Sequence, residues 1–166
     1  MIYVFCGTGG VGKTTLSAAF ALKTSQQKKT VLLTIDPSER LKSLFKIQYS
    51  GKSTVTDERH PNLFVFSFTK KNTFDRLVLK HSQQLYDKIS KSPLYEVMVE
   101  SLPKLHEYMA IQEIADILDF VQPEVLIIDT PPGQHFVDFL TSSEKLLDFF
   151  NDRTEKVLHL SLIHIS

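Results

Sequence analysis

One stretch constrains the fold more than any other: Gly7-Thr8-Gly9-Gly10-Val11-Gly12-Lys13-Thr14-Thr15, which follows a short apolar run and ends where a helical pattern begins. The pattern G-x-x-x-x-G-K-[ST] is that of a phosphate-binding loop. Its glycines let successive backbone N–H groups curl around phosphate oxygens, where a Cβ would strain the backbone or block the approach. Gly9, Gly10, Val11 and Gly12 would form the cradle, Lys13 would bring a point charge to the β and γ phosphates, and Thr14 would offer a hydroxyl to Mg²⁺. The helix that follows adds its partial positive charge and further N–H donors.

Such a loop works between a strand and a helix, and the flanks read as both. Ile2-Tyr3-Val4-Phe5-Cys6 is a continuous β-prone run, as expected for a strand buried on both faces of a parallel sheet. Lys13 to about Ser25 is alanine-rich and carries Leu16, Ala19, Phe20 and Lys23 at helical spacing. Thr30–Ile35 reads as a second buried strand, so a right-handed βαβ unit is expected. That strand runs into Asp36 and Pro37, which places Asp36 at the carboxyl edge of the sheet, the edge of the phosphate loop. A short helix through Leu41, Leu44 and Phe45 and a polar loop over about 46–61 follow.

Leu63–Phe68 reads as a further strand, at an edge. From Thr73 to Ser90 the spacing of Phe74, Leu77, Val78, Leu85 and Ile89 predicts one amphipathic helix, broken by Ser92-Pro93. Two more helices are expected, from Leu94 to about Leu102 and from Glu107 to Val121, the latter with Ile111, Ile114, Ile117 and Leu118 on one face. Residues about 70–104 read as a helical insertion in the α/β core. Val125–Asp129 is then a fourth strand, an apolar run ending in aspartate, as in a Walker B strand whose carboxylate holds Mg²⁺ through water. The fold class is α/β: a doubly wound, mainly parallel sheet of the P-loop NTPase type with a helical insertion.

Composition bears on what the chain can bind. Nineteen basic residues balance nineteen acidic ones, so no surplus of charge points to nucleic acid. The single cysteine, Cys6, excludes an internal disulfide, fits a reducing cytoplasm, and offers no thiolate cluster for arsenite. No run approaches the ~18 apolar residues of a membrane span. The histidines at 60, 81, 106, 159 and 164 show no metal-ligand spacing.

With these landmarks the chain resembles the ArsA/Get family of ATPases over residues 1 to about 154. Gly9–Thr15 resembles the family's P-loop, Leu33-Thr34-Ile35-Asp36-Pro37-Ser38 its switch I, and Asp129-Thr130-Pro131-Pro132-Gly133-Gln134-His135 its switch II. Glu107-Tyr108-Met109-Ala110 also resembles a stretch that precedes the Asp129 strand in bacterial relatives. The resemblance implies Mg²⁺-dependent ATP binding and hydrolysis in the cytoplasm. Lys13, Asp36 and Asp129 would be catalytic, Asp36 by orienting the attacking water. Gly9 to Thr15 would hold ATP, with Thr15 reaching the α-phosphate, and Thr14 and Asp129 would serve the metal. Hydrolysis would drive anion transport or the targeting of a hydrophobic client, with a membrane-channel partner or the client itself as partner. No nucleic acid is expected. His135 reads as a switch-helix residue that packs or hydrogen-bonds. Family members commonly carry a second lysine after the first glycine of the loop, which reaches across a homodimer. Thr8 stands there in this chain, and a hydroxyl cannot replace that charge.

Three other readings fit the same residues: a MinD/ParA-type partitioning ATPase, a small-molecule kinase on the same fold, and a nucleotide-dependent binding module that does not hydrolyse. The chain reads as the N-terminal part of such an ATPase domain over 1–159. Leu160–Ser166 back-translates into a transposon-end adapter used in sequencing libraries, so it reads as a non-native tail without function.

Overall fold

The computed structural model describes residues 1–35, 59–102 and 105–131, and the backbone of 160–165. These divide into two compact units, one built from Met1–Ser67 and Gln122–Ser166, the other from Phe68–Val121. Asp36, the helix expected around Leu41–Phe45, and the switch II residues from Pro132 through His135 lie outside the described residues.

The first unit is a parallel sheet. Strands β1 (Ile2–Gly7), β2 (Thr30–Thr34), β3 (Leu63–Ser67), β4 (Val125–Asp129) and β5 (Leu160–Ile165) stand in the order β3-β2-β4-β1-β5. Each pairing is parallel. The expected edge position of the Leu63 strand holds among the described strands. The sheet departs from the four strands read in the sequence, because the tail residues pair along β1 from Ile2↔Leu160 to Gly7↔Ile165. The apolar, β-prone run there pairs the backbone groups on this side of β1, which no other described strand meets.

Both faces of the inner strands are buried, as their unbroken apolar runs imply. On one face the register aligns Val65, Leu32, Ile127 and Tyr3 across four strands. Helix α1 (Lys13–Thr24) covers this face: Ala18 and Ala21 share a core with Phe5, Leu32, Val65 and Ile127. Small residues let the helix axis approach the sheet. Phe20 closes the rim, edge-on to Tyr3 at 4.8 Å between ring centroids. Because side chains alternate along a strand, Asp129 shares this same face with Ile127 and Phe5.

The second unit is helical: α2 (Lys70–His81), α3 (Gln83–Ile89), α4 (Pro93–Ser101) and α5 (Leu105–Asp116), then a π-helical turn over Ile117–Val121. The single helix expected over 73–90 is two helices. Ser82 is extended at φ −162°, and its Oγ accepts from Leu85 N at 3.2 Å, so it ends α2 and caps α3. Leu85, expected on the apolar face, is consequently exposed. Ser92 caps α4 in the same way, with Pro93 in the first turn. Inside the unit, Glu113 is only 4 % exposed. It accepts from the Thr73 hydroxyl at 2.6 Å and from the Arg76 guanidinium, so its charge is buried with partners.

Candidate nucleotide-binding site

The turn between β1 and α1 has the backbone that the glycine pattern requires. Gly10 and Gly12 lie at φ +83° and +90°, where L side chains are strained, and a Cβ on either would meet nothing within 4 Å. Both α-carbons are therefore free of close neighbours, as a backbone that approaches a ligand requires. Gly12 is the N-cap of α1, no side chain caps the helix there, and the first turn holds no acidic residue. The helix start is left with donors and partial positive charge facing one way.

Lys13, the first residue of α1, is 7 % exposed. Its ammonium donates to the Thr8 carbonyl at 2.9 Å, which folds the side chain back across the mouth of the loop. Thr14 is half-buried and Thr15 exposed, and the Thr14 carbonyl accepts from Ser17 Oγ at 3.0 Å. Beneath the loop Cys6 is buried in β1. Burial pushes its thiol above the ordinary range, against the opposing pull of a backbone hydrogen bond and of the Lys13 charge.

Asp129 is 3 % exposed at the end of β4. Its register partner on β1 is Phe5, two residues before Gly7, and on β2 it is Thr34. The glycine turn, Lys13, Thr14 and Asp129 thus meet at one carboxyl end of one sheet. This set suits a bound nucleoside triphosphate with its metal: backbone N–H groups and a lysine for phosphate oxygens, and a hydroxyl and a carboxylate for a hard cation. The open space at the two glycine α-carbons is the observation that favours the fit. Sequence reasoning quoted Thr130 within a motif but gave it no role. It is 4 % exposed, with Oγ1 donating to the Phe5 carbonyl at 2.8 Å. A β-branched hydroxyl directly after a strand-end carboxylate was the available signal.

A parallel α/β sheet with this strand order and a glycine turn where its first strand meets a helix defines a fold of the P-loop NTPase type. The chain belongs to the anion-transporting ATPase family, which it matches over residues 1–162. It is similar to a putative arsenical pump-driving ATPase 2 of Aquifex aeolicus, at 27 % identity over 91 % of this chain and 52 % of that protein. It is similar to the ATPase GET3 of Malassezia globosa, at 27 % identity over 90 % of this chain and 45 % of that protein. An ATPase ASNA1 homolog of Paramecium tetraurelia is 32 % identical over 81 % of this chain and 41 % of its own length. The chain therefore spans about half the length of the curated relatives it matches. Among solved structures, a plasmid partition protein from Borrelia burgdorferi shares the fold, with a TM-score of 0.53 and 16 % identity over 98 % of this chain and 77 % of that chain. Among the described residues no helix is long and apolar enough to cross a membrane.

Proposed function

We propose that the protein binds Mg²⁺ and ATP at Gly9–Thr15 and hydrolyses the nucleotide to ADP and phosphate, using Lys13, Asp36 and Asp129. In the whole protein this step drives a switch that serves anion transport or the targeting of a hydrophobic client. The observation that carries the reading is the open, positive-φ glycine turn at the carboxyl end of β1, with Lys13 folded against it and Asp129 on the adjacent strand.

The chemistry asks for position and fixed charge rather than a strong base. Gly10 and Gly12 present backbone N–H groups to phosphate oxygens. Lys13 exchanges the Thr8 carbonyl for the β and γ phosphates, which restores its hydrogen bond and adds charge attraction. Thr14 and, through water, Asp129 would hold a magnesium ion, whose Lewis acidity supports the departing ADP oxygen. Asp36, two residues past the end of β2, orients the attacking water. The pump reading rests on what the Aquifex relative is named for and the targeting reading on the family resemblance, and arsenite-stimulated turnover separates them.

The test is steady-state ATP hydrolysis with Mg²⁺ by a full-length protein carrying this sequence, beside Lys13→Ala. Turnover that falls at least about a hundredfold in the variant is expected, since removing one preorganised charge from a developing anion costs on that order. Equal turnover in both proteins would remove Lys13 and this site from the reaction.

A further inference from the structure

The peptide group that joins Asp129 to Thr130 is pinned from both sides. Its carbonyl, that of Asp129, accepts from Ile35 N at 3.0 Å just past the end of β2. Its N–H, that of Thr130, donates to the Phe5 carbonyl of β1 at 3.2 Å. The Thr130 hydroxyl then donates to that same Phe5 oxygen at 2.8 Å, in a buried setting. One residue thus grips one carbonyl twice, which fixes its χ1 and the torsions between it and Asp129.

We infer that Thr130 is a positioning residue: its hydroxyl sets where the Asp129 carboxylate stands relative to the phosphate loop. This inference rests on the site assignment proposed above. The three chain segments that leave the sheet here start from the same anchor. Phe5 precedes Gly7 by two residues, Ile35 precedes Asp36, and Asp129 is one half of the pinned peptide. A carboxylate that serves a metal through water must be held to a fraction of an ångström, and a backbone ladder alone fixes the Cα more tightly than the direction of the side chain. The second bond to Phe5 fixes the peptide plane from which the Asp129 side chain springs, and so the starting direction of its Cα–Cβ bond. The anchor also makes the substitution tolerable. In Thr130→Val the Phe5 carbonyl keeps the Thr130 backbone N–H as its donor, so no buried acceptor is stranded and shape is conserved.

Thr130→Val and Thr130→Ser are compared with wild type in a full-length protein by two readouts. The first is binding of a fluorescent ATP analogue as Mg²⁺ is titrated. The valine variant should need roughly fivefold more Mg²⁺ for half-saturation, the equilibrium worth of one buried hydrogen bond, with binding in EDTA unchanged. The second is amide hydrogen exchange without nucleotide, where peptides covering 125–131 should exchange roughly fivefold faster in the valine variant. Serine, which keeps the hydroxyl, should restore both to within about twofold. A valine variant with wild-type Mg²⁺ dependence, or a serine variant that behaves like valine, overturns the inference alone. Wild-type protein that binds no nucleotide removes the proposed site and this inference together.

Discussion

At the scale of single residues, the glycines of the loop carry the clearest consequence. Gly12 sits at φ +90° with open space at its α-carbon, so an alanine there clashes with nothing yet still occupies a disfavoured backbone region. Gly12→Ala should cost about 1–2 kcal/mol of stability and weaken nucleotide binding further, because a Cβ drives the loop backbone away from the φ that sets its N–H groups. Urea unfolding with nucleotide titration separates the two effects. A loss of stability without loss of affinity would mean that the cradle is not used. The glycine spacing made this conformation legible in the sequence, since only glycine enters it without strain. The resting partner of Lys13, the Thr8 carbonyl, was not legible: a backbone acceptor leaves no mark on residue type.

The elements show where periodicity is a sufficient guide and where it is not. The strands were readable because their apolar runs are continuous, which matches burial on both faces. The helical stretch from Thr73 to Ser90 was misread as one helix because apolar spacing continues across Ser82, while the side-chain cap that breaks it is a local choice of hydrogen bond. Gln122, the residue after the π-helical turn, lies at φ +51°, a left-handed conformation that favours glycine. Gln122→Gly should therefore stabilise the protein by about 0.5–1 kcal/mol, read as a higher urea midpoint, and an unchanged or lower midpoint would contradict the strain.

Within the helical unit, α2 and α4 meet through Asp75, which accepts from the Tyr95 hydroxyl at 2.6 Å and from Lys71 at 3.0 Å. Burial first, then the bond to Asp75 and its charge, hold the Tyr95 phenol protonated well above its ordinary value of 10.0. The bond to Asp75 likewise raises Lys71 above 10.5. As pH climbs past about 10 the unfolded chain releases these protons while the native state keeps them, so the native state binds more and stability falls with rising pH. Tyr95→Phe should lose about 1 kcal/mol at neutral pH with the hydrogen bond, and should show a shallower decline between pH 10 and 11. Thermal melts across that range measure it, and an identical alkaline slope in both proteins would rule out Tyr95 as its source.

For the whole molecule, the sheet is the organising fact, and its edges are where it is vulnerable. Among the described residues Leu160–Ile165 is what covers β1 on this side, along six register pairs, so a protein ending at residue 159 lacks that cover. Such a truncation should self-associate more than the 166-residue chain at equal concentration, as light scattering would report. Equal scattering would mean that the strand contributes no protection.

The sequence by itself determined the glycine turn before α1, the α/β class and the strand that ends in Asp129, because each depends on the chemistry of a few adjacent residues: glycine torsions, a lysine at a helix start, an apolar run closed by a carboxylate. Only the tertiary structure decided which strands are neighbours, and so that Asp129 lies beside Phe5 on the face covered by α1, and that the Asp129–Thr130 peptide is held by β1 and β2 at once. Those features are hydrogen bonds between backbone groups far apart in the chain. Every residue carries such groups, so residue type cannot reveal how they pair.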